Sequence, residues 1–346
     1  MRRPALRGAL TWAGLLVSLV FIYFAFRGID FGGLQTALAR SDYWALVPAL
    51  FVLAVAIVLR AVRWRILFPP EWRPPIRIVT NALLIGYLFN SILPARAGEA
   101  ARVVALKQRA GTPTFVALGT VVAERAVDVL VLLALLFAAA PVLPTAEWLP
   151  RALILGAILF VAIAVVFVAF ALYGERPARF MLQPLRLLPG MSRERIELAA
   201  ANLVRGFAVF RRSAIAVPAF ALTAVSWILI ALAFWICMDG FHLGLGFSAG
   251  VLVVVSVNLA MILPSGPAAI GVFEAATLVA LLPFGIDRSS ALSYALVLHG
   301  LNFLPFIVFG YAALHYHTLA VRRAAAGYPG RDDFAAKPNG RAASSG

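Results

Sequence analysis

Four long apolar runs, each close to the length of a membrane-spanning helix, constrain the fold of this chain most. They cover residues 9–26, 43–59, 152–172 and 214–238. A helix needs about 20 apolar residues to cross about 30 Å of hydrocarbon, whereas a membrane barrel would alternate polar and apolar residues. The composition agrees, because 63% of the residues are hydrophobic and only 13% are charged. The sequence predicts an all-α integral membrane protein with about six full transmembrane helices.

Basic side chains between these runs indicate which helix ends face the cytoplasm. The net charge is +15, and the basic residues cluster at the amino terminus, in residues 60–77, in residues 174–213 and near the carboxyl end. Short loops rich in arginine and lysine stay on the cytoplasmic side of a membrane. We therefore expect a multi-pass protein of the bacterial cytoplasmic (inner) membrane, with both termini in the cytoplasm.

The stretch LPARAGEAARVV, residues 93–104, follows an apolar run but carries three charged side chains, Arg96, Glu99 and Arg102. A full crossing by residues 78–93 would place these charges outside, against the distribution in the neighbouring loops. A re-entrant hairpin resolves the conflict. In this interpretation Pro94 breaks the first arm, Gly98 lies at the turn, and the polar arm 97–109 returns to the same side.

A second stretch, LPSGPAAIGVFE, resembles the first and joins two apolar arms of about 17 residues, from which we predict a second hairpin that either re-enters or spans as two thin helices. Each stretch contains a Leu-Pro pair, a glycine and a glutamate, and each follows an asparagine, Asn90 or Asn258, by a few residues. The residues expected to shape the second hairpin are Pro264, Gly266 and Gly271, with Glu274 after them. Glycine at such positions permits close backbone approach.

The two hairpins divide the chain into similar units of opposite orientation. Repeat one covers about 43–140 and repeat two about 214–320, within one membrane domain of residues 1–321. Inverted repeats with broken helices occur in many secondary transporters, whose substrate sites lie near the bilayer midplane. The basic linker 174–213 is expected to form an amphipathic cytoplasmic helix, and residues 322–346 a disordered cytoplasmic tail.

Three ionisable residues interrupt the apolar helix 114–140, namely Glu124, Arg125 and Asp128. Such residues inside a membrane helix face the protein interior, where they are paired or hydrated. Three interpretations stay open: an ion pair of Arg125 or Arg96 with a carboxylate, a polar cavity for a headgroup, and proton coupling. The substrate-binding candidates that the sequence places at or near hairpin one are Asn90, Arg96, Glu99 and Arg102.

Arg63, Glu274 and His299 are further polar residues near apolar segments. Arg63 flanks Trp64 at the end of the second helix, where it either snorkels to the membrane surface or gathers phosphates. Glu274 is a weaker substrate-binding candidate than Glu99. For His299 we expect a hydrogen bond between helices.

Several enzyme classes lack support in the sequence. It contains no phosphate-binding GxxxxGK[ST] loop, no HExxH, no GxSxG and a single cysteine, Cys237. We therefore expect no catalytic residue, no metal site and no cofactor. Nucleic-acid binding is a poor explanation for the basic segments.

The motifs RAVRWRILF, NSILPARAGEAARVVALKQRAG, VVAERAVDVL and LPSGPAAIGVFEAA resemble the transmembrane (flippase) region of lysylphosphatidylglycerol synthases and related stand-alone membrane proteins. The resemblance runs from about residue 10 to 321. It implies movement of aminoacylated phospholipid between leaflets, while related members are associated with hopanoids or polyprenyl-linked sugars. Where the family usually reads PGGIG, this chain has GPAAIG. The synthase domain is not expected here.

These observations favour a lipid flippase or transporter rather than an enzyme. Its substrate would be an anionic or aminoacylated phospholipid or a related amphiphile. Two alternatives stay open: a membrane-embedded transferase that acts on a lipid-linked substrate, and a non-catalytic subunit of a lipid-synthesis complex. A lipid-synthesis enzyme and a second copy of the chain are open as protein partners.

Overall fold

In a computed structural model of the chain, residues 16–93, 97–173, 213–262 and 265–325 are described, with isolated residues between 174 and 212. These ranges contain α-helices and short 3-10 turns but no strand. The helices of the first half are α1 (Leu16–Phe26), α2 (Phe31–Arg40), α3 (Leu46–Ile66), α4 (Ile76–Ile92), α5 (Gly98–Ala110) and α6 (Thr114–Ala139). Those of the second half are α7 (Leu149–Tyr173), α8 (Ser213–Gly240), α9 (Phe247–Ala260), α10 (Val272–Leu281) and α11 (Arg288–Ala325).

The prediction of an all-α membrane protein is confirmed. Within the described ranges, five helical segments are long and apolar enough to cross a membrane, and α1 with α2, bent by 85°, would be a sixth if the pair forms one span. Helix α6 is also 26 residues long, but it carries the three ionisable residues noted above. Glu124 and Asp128 of this helix are buried, so charged groups lie inside the helix bundle.

The chain turns back on itself in hairpin one, which consists of α4 and α5. Gly86 of α4 lies against both Gly98 and Arg102 of α5, so the second arm runs back along the first. These bounds agree with the predicted arms 78–93 and 97–109. Pro94 and Arg96 lie outside the described residues.

Hairpin two consists of α9 and α10, which pack against each other. Its arms are 14 and 10 residues long, shorter than the 17 residues expected, because residues 267–269 and 282–284 form 3-10 turns instead of extending the helices. Pro264 lies outside the described residues. Glu274 begins the second arm within its first turn.

The two hairpins pack reciprocally against the other half of the molecule. Helix α4 of hairpin one contacts α11, and α9 of hairpin two contacts α6, while α3 packs along α8. Hairpin arms α5 and α10 each also contact the helix that follows them. The division into two repeats and their opposite orientation in a membrane stay predictions.

The predicted cytoplasmic tail, residues 322–346, begins within α11. Helix α11 continues to Ala325, so residues 322–325 of the expected tail are helical. The rest of that tail and most of the linker 174–213 lie outside the described residues.

Candidate functional site

A cavity of about 200 Å³ lies between the two hairpins. Its polar side is formed by residues of α3, α4, α5 and α6: Arg60, Tyr87, Asn90, Ser91, Glu99, Arg125 and Asp128. Leu53, Ile57, Phe234, Phe273, Phe303 and Phe306 are among its apolar lining. Hairpin two contributes Asn258, Gly266, Ala268 and Ala269. The cavity therefore combines a charged side with a wall that accommodates hydrocarbon.

Behind the polar side, Arg63 of α3 joins two carboxylates of α6. Glu124 and Asp128 are one helical turn apart and therefore lie on the same face. The Arg63 guanidinium donates to Glu124 Oε1 at 2.7 Å and also forms an ion pair with Asp128. Arg63 is only 1% exposed. The alternative that its side chain snorkels to the membrane surface is therefore wrong.

Helix α8 supplies further hydrogen-bond partners to Arg63 and Asp128. Arg63 Nη1 donates to Thr223 Oγ1 at 3.1 Å, and the indole Nε1 of Trp227 donates to Asp128 Oδ1 at 3.1 Å. Both partners come from the repeat opposite to α3 and α6. The charged network therefore ties the two halves of the molecule together.

Arg102 of hairpin one extends the network. Its guanidinium pairs with Glu99 at 2.5 Å and with Glu124 at 3.0 Å. Its Cζ atom lies 4.5 Å from the centroid of the Trp64 ring, a cation–π distance. Trp64 in turn donates to Thr120 at 3.1 Å.

Arg125 connects the network to the cavity. It pairs with Glu124 at 2.6 Å and Asp128 at 3.2 Å, and its Nε lies 3.9 Å from Glu99 Oε1. About a third of its side chain, 34%, is exposed. The predicted ion pair between Arg125 and a carboxylate is thus confirmed.

Arg60 is a charged cavity-lining residue that the sequence analysis did not identify as a site candidate. It lies one turn before Arg63 in α3 and is 9% exposed, and its Cζ atom is 4.2 Å from the Trp227 ring centroid. The sequence signal was its three-residue spacing from Arg63, but we counted Arg60 among the loop charges.

Asn90 and Gly98 shape hairpin one. Asn90 Oδ1 accepts a hydrogen bond from the backbone N–H of Gly98 at 2.9 Å, across the break. A Cβ atom on Gly98 would lie 1.9 Å from the carbonyl oxygen of Gly86. Only glycine permits this approach. Asn90 therefore lines the cavity and also fixes the turn beside it.

Glu274 occupies a different environment from Glu99. Its Oε2 accepts from the backbone N–H of Gly271 at 2.7 Å, and its Oε1 lies 2.5 Å from His299 Nδ1. The expected hydrogen bond from His299 to another helix is confirmed. Glu274 does not line the cavity. The structure thus brings Asn90, Glu99, Arg125 and Asp128 to the cavity wall, with Arg63, Arg102 and Glu124 behind it, and separates Glu274 from them.

Hairpin two depends on close backbone contacts with α1. Gly271 has φ of +85°, and a Cβ atom there would lie 2.6 Å from the carbonyl oxygen of Ser18. The N–H of Gly266 donates to Ser18 Oγ at 2.8 Å. Ala268 and Ala269, within GPAAIG, have φ of +54° and +56°. They adopt a conformation that glycine would adopt with less strain.

Within the described ranges, no group of three or more His, Cys, Asp or Glu side chains has the geometry of a metal site. The carboxylates at the cavity are instead arranged around arginines. This arrangement suits the recognition of an ionic or polar group.

Comparison with known proteins finds one matching family and two relatives of this chain. The sequence profile of the lysylphosphatidylglycerol synthase transmembrane region matches residues 11–310. A UPF0104 membrane protein of Methanocaldococcus jannaschii is 23% identical over 221 residues, which are 64% of this chain and 90% of that protein. The glycosyltransferase AglD of Haloferax volcanii is 29% identical over 119 residues, 34% of this chain but only 19% of that protein.

Proposed function

The chain belongs to the family of the lysylphosphatidylglycerol synthase transmembrane region, and from this premise we propose that it is a lipid transporter. Its substrate is an amphiphile with an anionic or aminoacylated headgroup, which it moves between the leaflets of a membrane. Phospholipids, hopanoid derivatives and polyprenyl-linked sugars are candidate classes. We also propose that the membrane is the bacterial cytoplasmic membrane.

The cavity between the hairpins is the observation that carries this proposal. A headgroup that enters hydrocarbon loses its water, which costs several kcal/mol for a polar group and far more for a charge. Arg60, Arg125 and Glu99 supply polar contacts that replace this water on one side of the cavity. The aromatic and aliphatic residues opposite them suit the adjoining acyl or prenyl chains.

The buried ion network supports the same proposal. Each charge at the centre of a membrane helix costs about 2.5–3.5 kcal/mol on insertion scales. The side chains of Arg63, Glu124 and Asp128 are each less than 5% exposed. They therefore form a fixed polar scaffold inside the protein. Such a scaffold holds the cavity-lining Arg125 in place, so that it can contact a headgroup without rearrangement.

A membrane-embedded transferase is the second candidate, because one relative is a glycosyltransferase by name. That similarity covers a small part of the relative. In addition, Glu99, Glu124 and Asp128 each pair with at least one arginine, which makes them poorly placed to accept a proton from a substrate. We therefore favour transport over catalysis.

The test is lipid movement in vesicles that contain the purified protein. Labelled phospholipids with anionic, zwitterionic and aminoacylated headgroups are reconstituted, and their transfer between leaflets is followed by quenching from outside. We expect faster transfer for at least one anionic or aminoacylated class. Arg125→Gln should slow that transfer, whereas Arg40→Gln, at an exposed position of α2 that does not line the cavity, should not.

Two results would contradict the proposal. No acceleration with any lipid class would remove the transport function. Conversion of a lipid to a new product, detected by mass spectrometry with the purified protein, would favour the transferase instead.

The proposed arrangement in the membrane has its own test. Single cysteines are introduced by Glu71→Cys, Lys107→Cys and Glu147→Cys in a Cys237→Ala background. If hairpin one re-enters, a membrane-impermeant thiol reagent labels positions 71 and 107 from the cytoplasmic face and position 147 from the opposite face. Labelling of 71 and 107 from opposite faces would exclude re-entry.

A further inference from the structure

We propose that Arg60 is the anchor for a single phosphodiester group, held through one edge of its guanidinium in the cavity between the hairpins. This inference rests on the proposed transport of an amphiphile and identifies the part of the headgroup that the cavity recognises. It follows from the charge balance of the site, from the unpartnered atoms of Arg60 and from the position of Trp227.

The site contains one more cationic than anionic side chain. Among the described residues of the cavity and its ion network, four arginines face three carboxylates. The arginines are Arg60, Arg63, Arg102 and Arg125, and the carboxylates are Glu99, Glu124 and Asp128. Three of the arginines have a carboxylate within ion-pair distance, but Arg60 has none among the described residues. One additional negative charge would balance the group.

The unpartnered atoms of Arg60 lie on one edge of its guanidinium. Nη1 lies 3.5 Å from the hydroxyl of Tyr87, whereas Nε and Nη2 are buried and have no hydrogen-bond partner. The N–H groups of Nε and Nη2 point in nearly the same direction. This edge binds a carboxylate or phosphate through two parallel hydrogen bonds. Both atoms are inaccessible to solvent, so neighbouring side chains must shift for an anion to reach them, and the anion then relieves the cost of a buried donor pair without a partner.

Trp227 holds the guanidinium in place. Its ring lies 4.2 Å from Arg60 Cζ, and its indole N–H donates to Asp128, which is itself paired with Arg63. The position of Arg60 is therefore fixed by a residue that the ion network fixes in turn. A donor edge that is held rigid loses little entropy when it binds a ligand.

A phosphodiester fits these features better than other anions do. It carries one negative charge, which matches the single unpaired cation, and two free oxygens, which match the two donors. It also has a substituent on each side, so one side can continue to a glycerol backbone and its chains along Leu53, Ile57 and Phe306. Inorganic phosphate supplies the same oxygens but no chain.

The experiment measures binding by titration calorimetry with the full chain in a neutral maltoside detergent. The probe is dihexanoyl phosphatidylmethanol, the simplest monoanionic phosphodiester lipid that dissolves in water. Dihexanoylglycerol, which lacks the phosphate, and inorganic phosphate, which lacks the chains, are titrated in parallel. We expect the phosphodiester to bind at least about tenfold more tightly than either, since two charge-assisted hydrogen bonds and chain burial both contribute.

Two variants of Arg60 separate charge from geometry. Arg60→Gln removes both and should weaken binding of the phosphodiester about 10- to 100-fold, the range for hydrogen bonds to a charged group. Arg60→Lys keeps the charge without the two-pronged edge and should weaken it several-fold. Arg40→Gln should bind like the unaltered chain. If Arg60→Gln does not fold, the comparison of Arg60→Lys with the unaltered chain carries the test.

Unchanged affinity in Arg60→Gln, or in Arg60→Lys when that variant carries the test, would overturn the assignment. Inorganic phosphate that binds as tightly as the lipid would overturn the headgroup assignment, because the site would then serve a free anion. Arg60-dependent lipid binding would support it even if no lipid moves in the vesicle assay. In that case only the transport function would fail.

Discussion

Each of the two hairpins consists of two helical arms that pack against each other, but different interactions stabilise them. Hairpin one places Glu99 and Arg102 in a network of ion pairs, while hairpin two contributes a single carboxylate, Glu274, which bonds to a backbone N–H and to His299. Hairpin two packs in the hydrophobic core through residues such as Val253 and Phe273, and it also makes close backbone contacts with α1 at Gly266 and Gly271. One repeat therefore presents charge to the cavity and the other presents a largely apolar surface.

Even the matching residues of the two hairpins act differently. Asn90 accepts from Gly98 across its hairpin, but Asn258 donates to Val254 within its own helix at 2.8 Å. Sequence similarity between the repeats therefore indicates a common backbone path and not a common role for each side chain. This division of roles is what a site for an amphiphile requires, because the headgroup and the chains need different surroundings.

The largest expected effect concerns the charged half. Arg63→Met leaves Glu124 and Asp128 with less compensation in a buried environment, and we expect a loss of about 3–5 kcal/mol in the free energy of unfolding. Unfolding in mixed micelles, followed by circular dichroism, measures it. Arg65→Met is the matched control in the same helix, because among the described residues Arg65 bonds only to the carbonyl oxygen of Pro74.

A loss below 1 kcal/mol for Arg63→Met would mean that the ion network does not stabilise the charged half. The comparison between the hairpins would then fail at its main point.

The second expected effect concerns the close contact inside hairpin one. Gly98→Ala places a methyl group 1.9 Å from the carbonyl of Gly86, so the two arms must separate. We expect a loss of about 1–3 kcal/mol, the usual range for overpacking. Gly300→Ala in α11 is the control, because the nearest atom to its new methyl group is Leu304 Cδ1 at 3.7 Å. The same unfolding measurement applies, and equal stabilities of the two variants would contradict the close approach.

The comparison of the hairpins also shows which of their features could be predicted from the sequence. Apolar run lengths and loop charges were sufficient to predict hairpin one, because few arrangements satisfy hydrocarbon thickness and charge distribution together. Hairpin two was predicted from its similar sequence, and loop charge did not decide whether it re-enters or spans the membrane. The grouping of Glu124, Arg125 and Asp128 with Glu99 and Arg102 followed from the same reasoning, since charged groups in membrane helices must face inward.

The two arginines of α3 show where that reasoning stops. Arg60 and Arg63 lie near a helix end, where a charged residue can equally reach the membrane surface. Their inward orientation depends on α8, which supplies Thr223 and Trp227 from about 160 residues further along the chain. Such long-range packing leaves no local signal in a sequence. The separation of Glu274 from the cavity was unpredictable for the same reason, since its partner His299 belongs to another helix.

The third prediction concerns the apolar half and has the opposite sign. Ala268 has φ of +54°, and a non-glycine residue in the left-handed region costs about 1–2 kcal/mol. Ala268→Gly should therefore raise the free energy of unfolding by about 1 kcal/mol, after the greater flexibility of glycine in the unfolded chain is subtracted. Ala157→Gly, at an exposed helical position of α7, should lower it by a similar amount. A loss of stability in Ala268→Gly would show that the alanine contributes more through packing than it costs in strain.

The smallest expected effect concerns the start of the helix after each hairpin. Helix α11 begins at Arg288, directly after Asp287. The Oδ1 atom of Asp287 accepts from the N–H groups of Ser289 and Ser290 at 3.0 Å each, whereas α6 follows Pro113 without a side-chain cap. Hydrogen bonds from Ser290, first from its side chain, and from the backbone of Ser289 hold the pKa of Asp287 below its usual value. Because its folded pKa is lowered, its charge stabilises the protein above the usual pKa of about 3.9, and this contribution is lost as the pH falls through the folded value.

Asp287→Ala should therefore cost about 0.5–1 kcal/mol at pH 7, the low end of the range for helix caps because the site is exposed to solvent. The difference from the unaltered chain should narrow between about pH 5 and pH 3, as the native carboxylate becomes protonated. Asp287→Asn keeps an acceptor oxygen without the charge, so it should lose less stability and its difference from Asp287→Ala should not depend on pH. A gap between the unaltered chain and Asp287→Ala that stays constant across this interval would assign the stabilisation to the hydrogen bonds alone. The start of α11 would then be stabilised by a hydrogen-bonded cap that α6 lacks, and not by the charge of Asp287.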